Sequence, residues 1–213
     1  MRMFSSRALI VCACLLTLAG CVTARNTIQF TDSEGRRSYL RYAGSEGPVY
    51  LRAANPPASL GDHDAVAAVM ADAASGAVFA MPTTFTSDRE AAPQPHFRIV
   101  ALFDAEELLS TADLCELEAT GTDLTAARYA DRTNLFLAFC TRGEALAGTK
   151  VSGPKITSVS DPALRQMVRS GIREMFSLDD RQRERGEPPI LGTFSGNPND
   201  FGFRLNPLEG VIK

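Results

Sequence analysis

The chain has 213 residues, 45% hydrophobic and 22% charged, a balance that fits neither a disordered polyelectrolyte nor a polytopic membrane protein and points to one soluble domain. Twenty-two Lys+Arg against 25 Asp+Glu give a net charge of -3, so there is no cationic excess to neutralise phosphates and nucleic acid is not an expected partner. The cations are 19 arginines and 3 lysines, a bias ascribed to coding composition before any use of guanidinium chemistry.

The chain opens on Arg2 and Arg7 flanking a short start, followed by the unbroken apolar stretch Ala8–Leu18 (ALIVCACLLTL), with no acidic residue before Asp32. This is the layout of a secretory signal. The apolar run from Ala8 to Val22 is 15 residues long, short of the roughly 20 that a spanning helix needs. It ends in Leu18, Ala19, Gly20 and Cys21, a tetrapeptide that resembles the lipobox of bacterial lipoproteins over residues 1–21.

The resemblance implies a signal peptide over 1–20, with diacylglycerol joined to the Cys21 sulfur and cleavage just before it. The freed amine is often acylated too, with palmitate. One acyl chain holds a protein marginally and two or more hold it stably, so the partner implied is a membrane, reached through acyl chains on Cys21. Val22 stands where many such proteins have the aspartate of inner-membrane retention, and the outer membrane is therefore the implied destination, on its periplasmic side. The alternative is ordinary cleavage after Ala24, since Val22, Thr23 and Ala24 form a small-x-small site.

After that processing Cys12 and Cys14 are gone and Cys21 is committed to lipid, which leaves Cys115 and Cys140, 25 positions apart. In an oxidising compartment these two are expected to form a disulfide, contributing about 3.5 kcal/mol in the simple chain-closure picture. A metal site is the alternative, but two thiols without a nearby histidine lack the usual ligand spacing. No metal or cofactor is expected.

In chain order, 21–26 reads as a tether. Ile28–Phe30 and Ser38–Tyr42, flanking Asp32, Ser33, Glu34 and Gly35, read as a hairpin, and Val49–Ala53 as a third strand stopped by Pro56 and Pro57. Asp62 is placed to cap a helix from Asp64 to Ser75, whose Val66, Val69, Met70, Ala73 and Ala74 share one face and which Gly76 ends. Val78–Met81 reads as a short strand and Phe97–Phe103 as a central one. Residues 104–134 read as an irregular excursion with helical turns at Ala105–Leu109 and Thr125–Tyr129. Leu135–Thr141 is a second core strand, pairing through a turn at Gly143 and Glu144 with Ala145–Val151. Asp161 and Pro162 then open the strongest helix, with Leu164, Met167, Val168, Gly171, Ile172, Met175 and Phe176 in one stripe; this stripe is expected to pack on Phe97–Phe103 and Leu135–Thr141. Arg165, Arg169 and Arg173 form another stripe, read as solvated surface over a partner site. From 179 to 213, nine of 35 residues are Gly or Pro, the composition of a disordered tail.

The fold expected is α+β: a single small domain over 27–178, with an antiparallel or mixed sheet and two main helices on one face. Its element order resembles that of small envelope domains of the TolB N-terminal and curli-assembly lipoprotein kinds, with no residue motif behind the likeness. His63 and His96 are the only histidines; the acids around His63 read as helix caps, and His96 has no acid partner in sequence. No nucleophile elbow, Walker loop, zinc-protease helix or dinucleotide fingerprint is present. Gly192 to Gly196 has the wrong spacing for an elbow, and Glu106, Glu107, Glu116 and Glu118 single out no catalytic pair. The function expected is therefore non-catalytic binding or scaffolding by an envelope lipoprotein with a possible envelope protein partner. The alternative is a lipoprotein hydrolase acting on cell-wall or lipid material.

The lipobox is tested directly by Cys21→Ser. Grown with a clickable fatty acid, cells should label the natural protein and not the variant; label on the serine variant would move the acylation away from Cys21.

Overall fold

The computed structural model describes residues 21–27, 32–105, 109–120 and 129–178. Within them lie β1 (Thr23–Asn26), α1 (Ser33–Ala43), β2 (Val49–Ala54), a 3-10 turn at Ala58–Leu60, α2 (His63–Ala74), β3 (Phe85–Thr86), β4 (Phe97–Phe103), α3 (Thr111–Thr120), β5 (Arg132–Thr141), β6 (Glu144–Pro154) and α4 (Pro162–Met175). The strands form one sheet in the order β1-β6-β5-β4-β2-β3. Both pairings of β2 are parallel and the others antiparallel, so the sheet is mixed and the domain is α+β.

The strongest sequence signals become the centre. Phe97–Phe103 is buried at every position, as a strand covered on both faces must be, and pairs with β5 from Phe97↔Thr141 to Phe103↔Leu135. Alternation along these strands divides the core. Ile99, Ala101, Leu135, Leu137 and Phe139 pack under α1, α2 and α4. On the opposite face Val100, Leu102, Phe136, Ala138 and Cys140 pack under Leu114 and Cys115 of α3. Among the described residues three helices thus cover one face and a single helix the other, the two main helices of the sequence reading, α2 and α4, both on the first face.

In α4 the Asp161 carboxylate accepts from the Ala163 amide at 2.9 Å, Pro162 opens the helix, and Leu164, Met167, Val168, Gly171, Ile172 and Met175 are buried. The stripe is received by β6, β1, β5 and α2, a broader seat than the expected β4 and β5. A Cβ on Gly171 would lie 2.3 Å from Leu137 Cδ1 and 2.8 Å from Val151 Cγ2, so glycine permits the helix to lie this close. The expected solvated arginine stripe is partly an inter-helix seam: Arg165 pairs with Asp72 of α2, and Arg169 Nε donates to the Ala73 carbonyl at 3.2 Å. Arg165 holds the Asp72 carboxyl below its ordinary range, chiefly by hydrogen bonding and then by charge.

The expected hairpin around residues 32–35 is instead the start of α1. Asp32 caps that helix, accepting from the Gly35 amide at 2.7 Å, so the same Asp-Ser-Glu-Gly chemistry that suits a turn begins a helix. Arg36, Arg37, Leu40 and Ala43 form its buried face, which breaks the strand read at Ser38–Tyr42 and with it the element order behind the envelope-domain likeness; Ile28–Phe30 lie outside the described residues. Arg36 Nε donates to the Met175 carbonyl at 3.0 Å. Arg37, only 1% exposed, donates from Nη1 to Phe176 O at 2.9 Å and from Nη2 to Phe79 O at 2.8 Å. Burial pulls its guanidinium below the ordinary arginine pKa, Glu34 opposing this and Arg41 adding to it.

Three further expectations change. Val78–Met81 makes a turn, with Ala80 at φ 53° and Met81 N–H bonded to Val78 O, while the edge strand is Phe85–Thr86 alongside β2. The irregular excursion contains α3, opened by a reciprocal cap in which Ser110 N donates to Asp113 Oδ2 and Asp113 N to Ser110 Oγ. Thr23–Asn26, within the expected tether, is a strand paired with β6 from Thr23↔Ser152 to Asn26↔Thr149. The helical turns read at Ala105–Leu109 and Thr125–Tyr129 fall mostly outside the described residues, as does the tail from 179.

Ile172→Asp should unfold the domain, because it sets an unpaired carboxylate among buried side chains at a cost of several kcal/mol. Thermal denaturation checks this, and an unchanged midpoint would mean the stripe is not core.

Candidate functional site

Cys115 and Cys140 are bonded, with Cα atoms 5.7 Å apart. The bond ties the middle of α3 to β5, and both cysteines are fully buried. It fastens the only described helix on that face, where the apolar cluster is the smaller of the two. Cys21 is exposed and stands two positions before β1, so the chain between Cys21 and the sheet spans roughly 7 Å at full extension.

His63 opens α2 at the surface, next to Asp62, whose side chain caps the helix through the Asp64 amide. His96 lies against Phe97, ring centroids 4.6 Å apart. Among the described residues no three His, Cys, Asp or Glu side chains are grouped to hold a metal. Glu116 lies on α3; Glu106, Glu107, the side chain of Glu118 and the Gly192–Gly196 stretch lie outside what is described.

Two surface features stand at opposite ends of the sheet. The first is a cleft of about 440 Å³ near the start of β1, lined by Thr23, Arg25, Ala105, Tyr129, Arg132, Asn134, Leu135, Phe136, Lys150, Val151 and Ser152. Strand register builds it. Thr23 pairs with Ser152 and Ser152 with Asn134, while Arg25 pairs with Lys150 and Lys150 with Phe136. Residues directly opposite in neighbouring strands point to the same face, so two rows cross three strands: hydroxyl, hydroxyl and amide, then guanidinium, ammonium and phenyl. Like charges directly opposite are unfavourable by themselves, and Lys150 has a further interaction besides its contact with the Phe136 ring.

Aromatic rings order two of the cations. Arg132 lies 4.6 Å from the centroid of the Tyr129 ring and Lys150 Nζ 4.9 Å from that of Phe136. Lys155 donates to the Tyr129 carbonyl at 2.6 Å. Asp104, buried with φ 49°, accepts from the Asn134 amide through Oδ1 at 3.0 Å and donates its own amide to Asn134 O at 2.8 Å, which fixes the rim where β4 ends. Arginine forks, an ammonium, hydroxyls and an amide suit recognition of an anion.

The second feature is aromatic. Tyr39 and Tyr42 of α1 are 42% and 55% exposed, and Phe79 is 70% exposed. The two tyrosine rings meet Phe97 at 6.0 and 5.6 Å, and the series continues inward through Phe139 to Phe176. Beside Phe97 lies a hollow of about 400 Å³ bounded by His96, Thr141, Arg142, Gly143 and Glu144. Arg98 stiffens it by donating to the carbonyls of His96 and Arg142, each at 3.2 Å. Strand β4 runs from this end to the cleft end, roughly 20 Å at strand rise.

Sequence reasoning finds the Cys115–Cys140 bond and misses both surfaces. Arg25 is far from Lys150 in the chain and meets it because β1 joins the sheet, while β5 and β6 bring Arg132 to the same cleft; the sequence around Tyr39 and Tyr42 reads as strand. No protein family, curated protein or solved structure matches the chain.

Without reductant neither Cys115 nor Cys140 should take an alkylating reagent in protein recovered from cells, and both should after reduction and unfolding. Replacing both by alanine should lower stability by about 3 kcal/mol, read by denaturant titration; alkylation of both without reductant would show the bond absent.

Proposed function

We propose that this protein is a bacterial envelope lipoprotein with a non-catalytic binding or scaffolding role, held through acyl chains on Cys21 at the periplasmic side of a membrane, the outer in preference to the inner. The observation that supports binding most is the pair of exposed tyrosines Tyr39 and Tyr42 on the Phe97 ring, with a third exposed aromatic, Phe79, on the segment that Arg37 ties to the same helix. Tyrosine and phenylalanine are enriched in protein interfaces because they bury much area while losing little side-chain entropy. The group stands on rigid supports: α1 is fixed by Arg36 and Arg37, and the Phe79 backbone is held by the same Arg37. A lipid anchor ahead of β1, with the aromatic end across the sheet, leaves that end turned toward the periplasm to meet an envelope protein.

A photocrosslinking side chain at Tyr42 or Phe79 in living cells should give the same adduct from both positions, while the exposed Ala68 of α2 should give none. Tyr39→Ala combined with Tyr42→Ala should leave the protein folded and anchored yet reproduce the deletion phenotype. Adducts from all three sites alike, or a wild-type phenotype from the double variant, would overturn the docking role. Replacing His63 by Ala and His96 by Phe removes both imidazole bases while keeping a ring on Phe97. This variant should retain function; a deletion phenotype in folded, anchored protein would favour hydrolysis.

A further inference from the structure

We propose that the end of the sheet where Tyr39, Tyr42 and His96 meet Phe97 is a site for a proline-rich segment in the extended polyproline II form, presented by the partner protein. The proposal rests on the docking reading of Tyr39 and Tyr42 and names what they receive. Three rings contact Phe97 and none lies flat on it. Tyr39 is tilted by 32° at 6.0 Å, Tyr42 stands edge-on at 76° and 5.6 Å, and His96 is tilted by 46° at 4.6 Å. Phe97 itself is buried, so it forms a floor with the other rings set at angles around it. Rings at angles leave slots between them, where a flat open platform would need one ring face turned to solvent. Aromatic-lined grooves of this kind hold polyproline II segments, which arrive already extended and lose little chain entropy on docking. The steps of 5.6 Å from Tyr42 to Phe97 and 4.6 Å from Phe97 to His96 are commensurate with one polyproline II turn, three residues in about 9 Å.

The polar groups favour the same ligand. A polyproline II backbone makes no internal hydrogen bonds, and its prolines present carbonyls without N–H groups. The hollow beside Phe97 is lined by Thr141, Arg142 and His96, which can donate, and by Glu144, which accepts; Tyr39 and Tyr42 bring phenolic hydroxyls. Arg142 uses its backbone on the fold. At φ 56° its N–H donates to His96 O at 3.1 Å and its carbonyl accepts from Arg98 Nη2 at 3.2 Å, so the turn that carries the guanidinium is fixed at the rim. A rim rich in donors complements a ligand rich in carbonyls. A sugar, whose hydroxyls donate as well as accept, calls for paired acceptors and a flat ring face, and fits this geometry less well. Glu144 serves an N–H or a cation at a non-proline position of the segment.

The test is calorimetric titration of the protein purified from membranes with decaproline blocked at both ends, beside a blocked glycine-serine peptide of the same length and chitohexaose. Decaproline should bind saturably below about 1 mM and the glycine-serine peptide should not. Tyr42→Ala, with its thermal midpoint unchanged, should weaken decaproline about tenfold. Arg142→Gln, on an exposed turn, should weaken it several-fold and reads the same site if the alanine variant does not fold, while Glu144→Gln should leave it unchanged because decaproline has no N–H to give. Equal binding of both peptides, binding indifferent to Tyr42 and Arg142, or a loss in Glu144→Gln as large as in Arg142→Gln would overturn the proposal. Chitohexaose binding in place of decaproline would make the face a sugar site and overturn it too. If decaproline does not bind while a crosslinker at Tyr42 still gives its adduct in cells, the docking reading stands and the proline site falls. If decaproline binds through Tyr42 while cells give no adduct, the proline site stands and the docking role falls.

Discussion

The C-terminal end of α4 is buried, and its carbonyls need donors that the helix itself does not supply. Arg36 and Arg37 provide them. Two successive residues of α1 reach across the core to Met175 O and Phe176 O, placing positive charge where the helix dipole is negative. Arg37 uses its remaining fork nitrogen on Phe79 O, so one buried guanidinium ties α1, the end of α4 and the connection after α2 together. Lysine has the charge but not the fork and could not bridge two carbonyls of separate segments with the same fixed geometry. Because α1 is seated this way, Tyr39 and Tyr42 are carried onto Phe97 and outward to solvent. The aromatic end of the sheet is a consequence of how α4 is capped.

How much of this was legible in the sequence depended on whether a signal was local. The helices α2 and α4 each announce themselves by a capping aspartate and an apolar stripe, and β4 and β5 by runs too apolar to be anything but two-sided core. Helix α1 hid because its buried face includes two arginines. A stripe of Arg36, Arg37, Leu40 and Ala43 is invisible to a search for apolar periodicity, while Tyr39 and Tyr42 on the other side favour a strand. Helix α3 hid for the opposite reason: its described buried apolar positions are few, Leu114 and Cys115, and its one clear mark was the Ser110–Asp113 cap. In both cases the capping chemistry was present in the sequence and the packing signal was weak.

The cleft was illegible for a third reason, since its chemistry exists only through register. Thr23–Asn26 has no apolar alternation and pairs because β6 offers it an edge. That single pairing changes a supposed tether into the outer wall of a site, and it aligns Arg25 with Lys150, residues more than a hundred positions apart. A reading of spacing finds ligands that are neighbours in sequence or on one helix face, and it has no means of finding three cations that meet across three strands.

The same sheet face explains why the cleft and the disulfide occur together. The face under α1, α2 and α4 has enough helix to cover it. The other has α3, ten residues and roughly 15 Å long, and a helix of that size does not shield the whole breadth of the sheet. A Cβ at Gly148 of β6 would fall 2.3 Å from Thr111 Oγ1, so the first turn of α3 already sits on that strand; the body of the helix covers β4 and β5. Held by so few apolar contacts, α3 gains from a covalent bond to Cys140 that does not depend on burying more surface. Beyond Gly148, at Lys150 and Ser152, no described helix lies over this face of β6 and β1. The described lining there brings Arg25, Arg132 and Lys150 together with the hydroxyls of Thr23 and Ser152, so the part of the sheet that lacks a described helix is also the part whose described side chains are mostly polar.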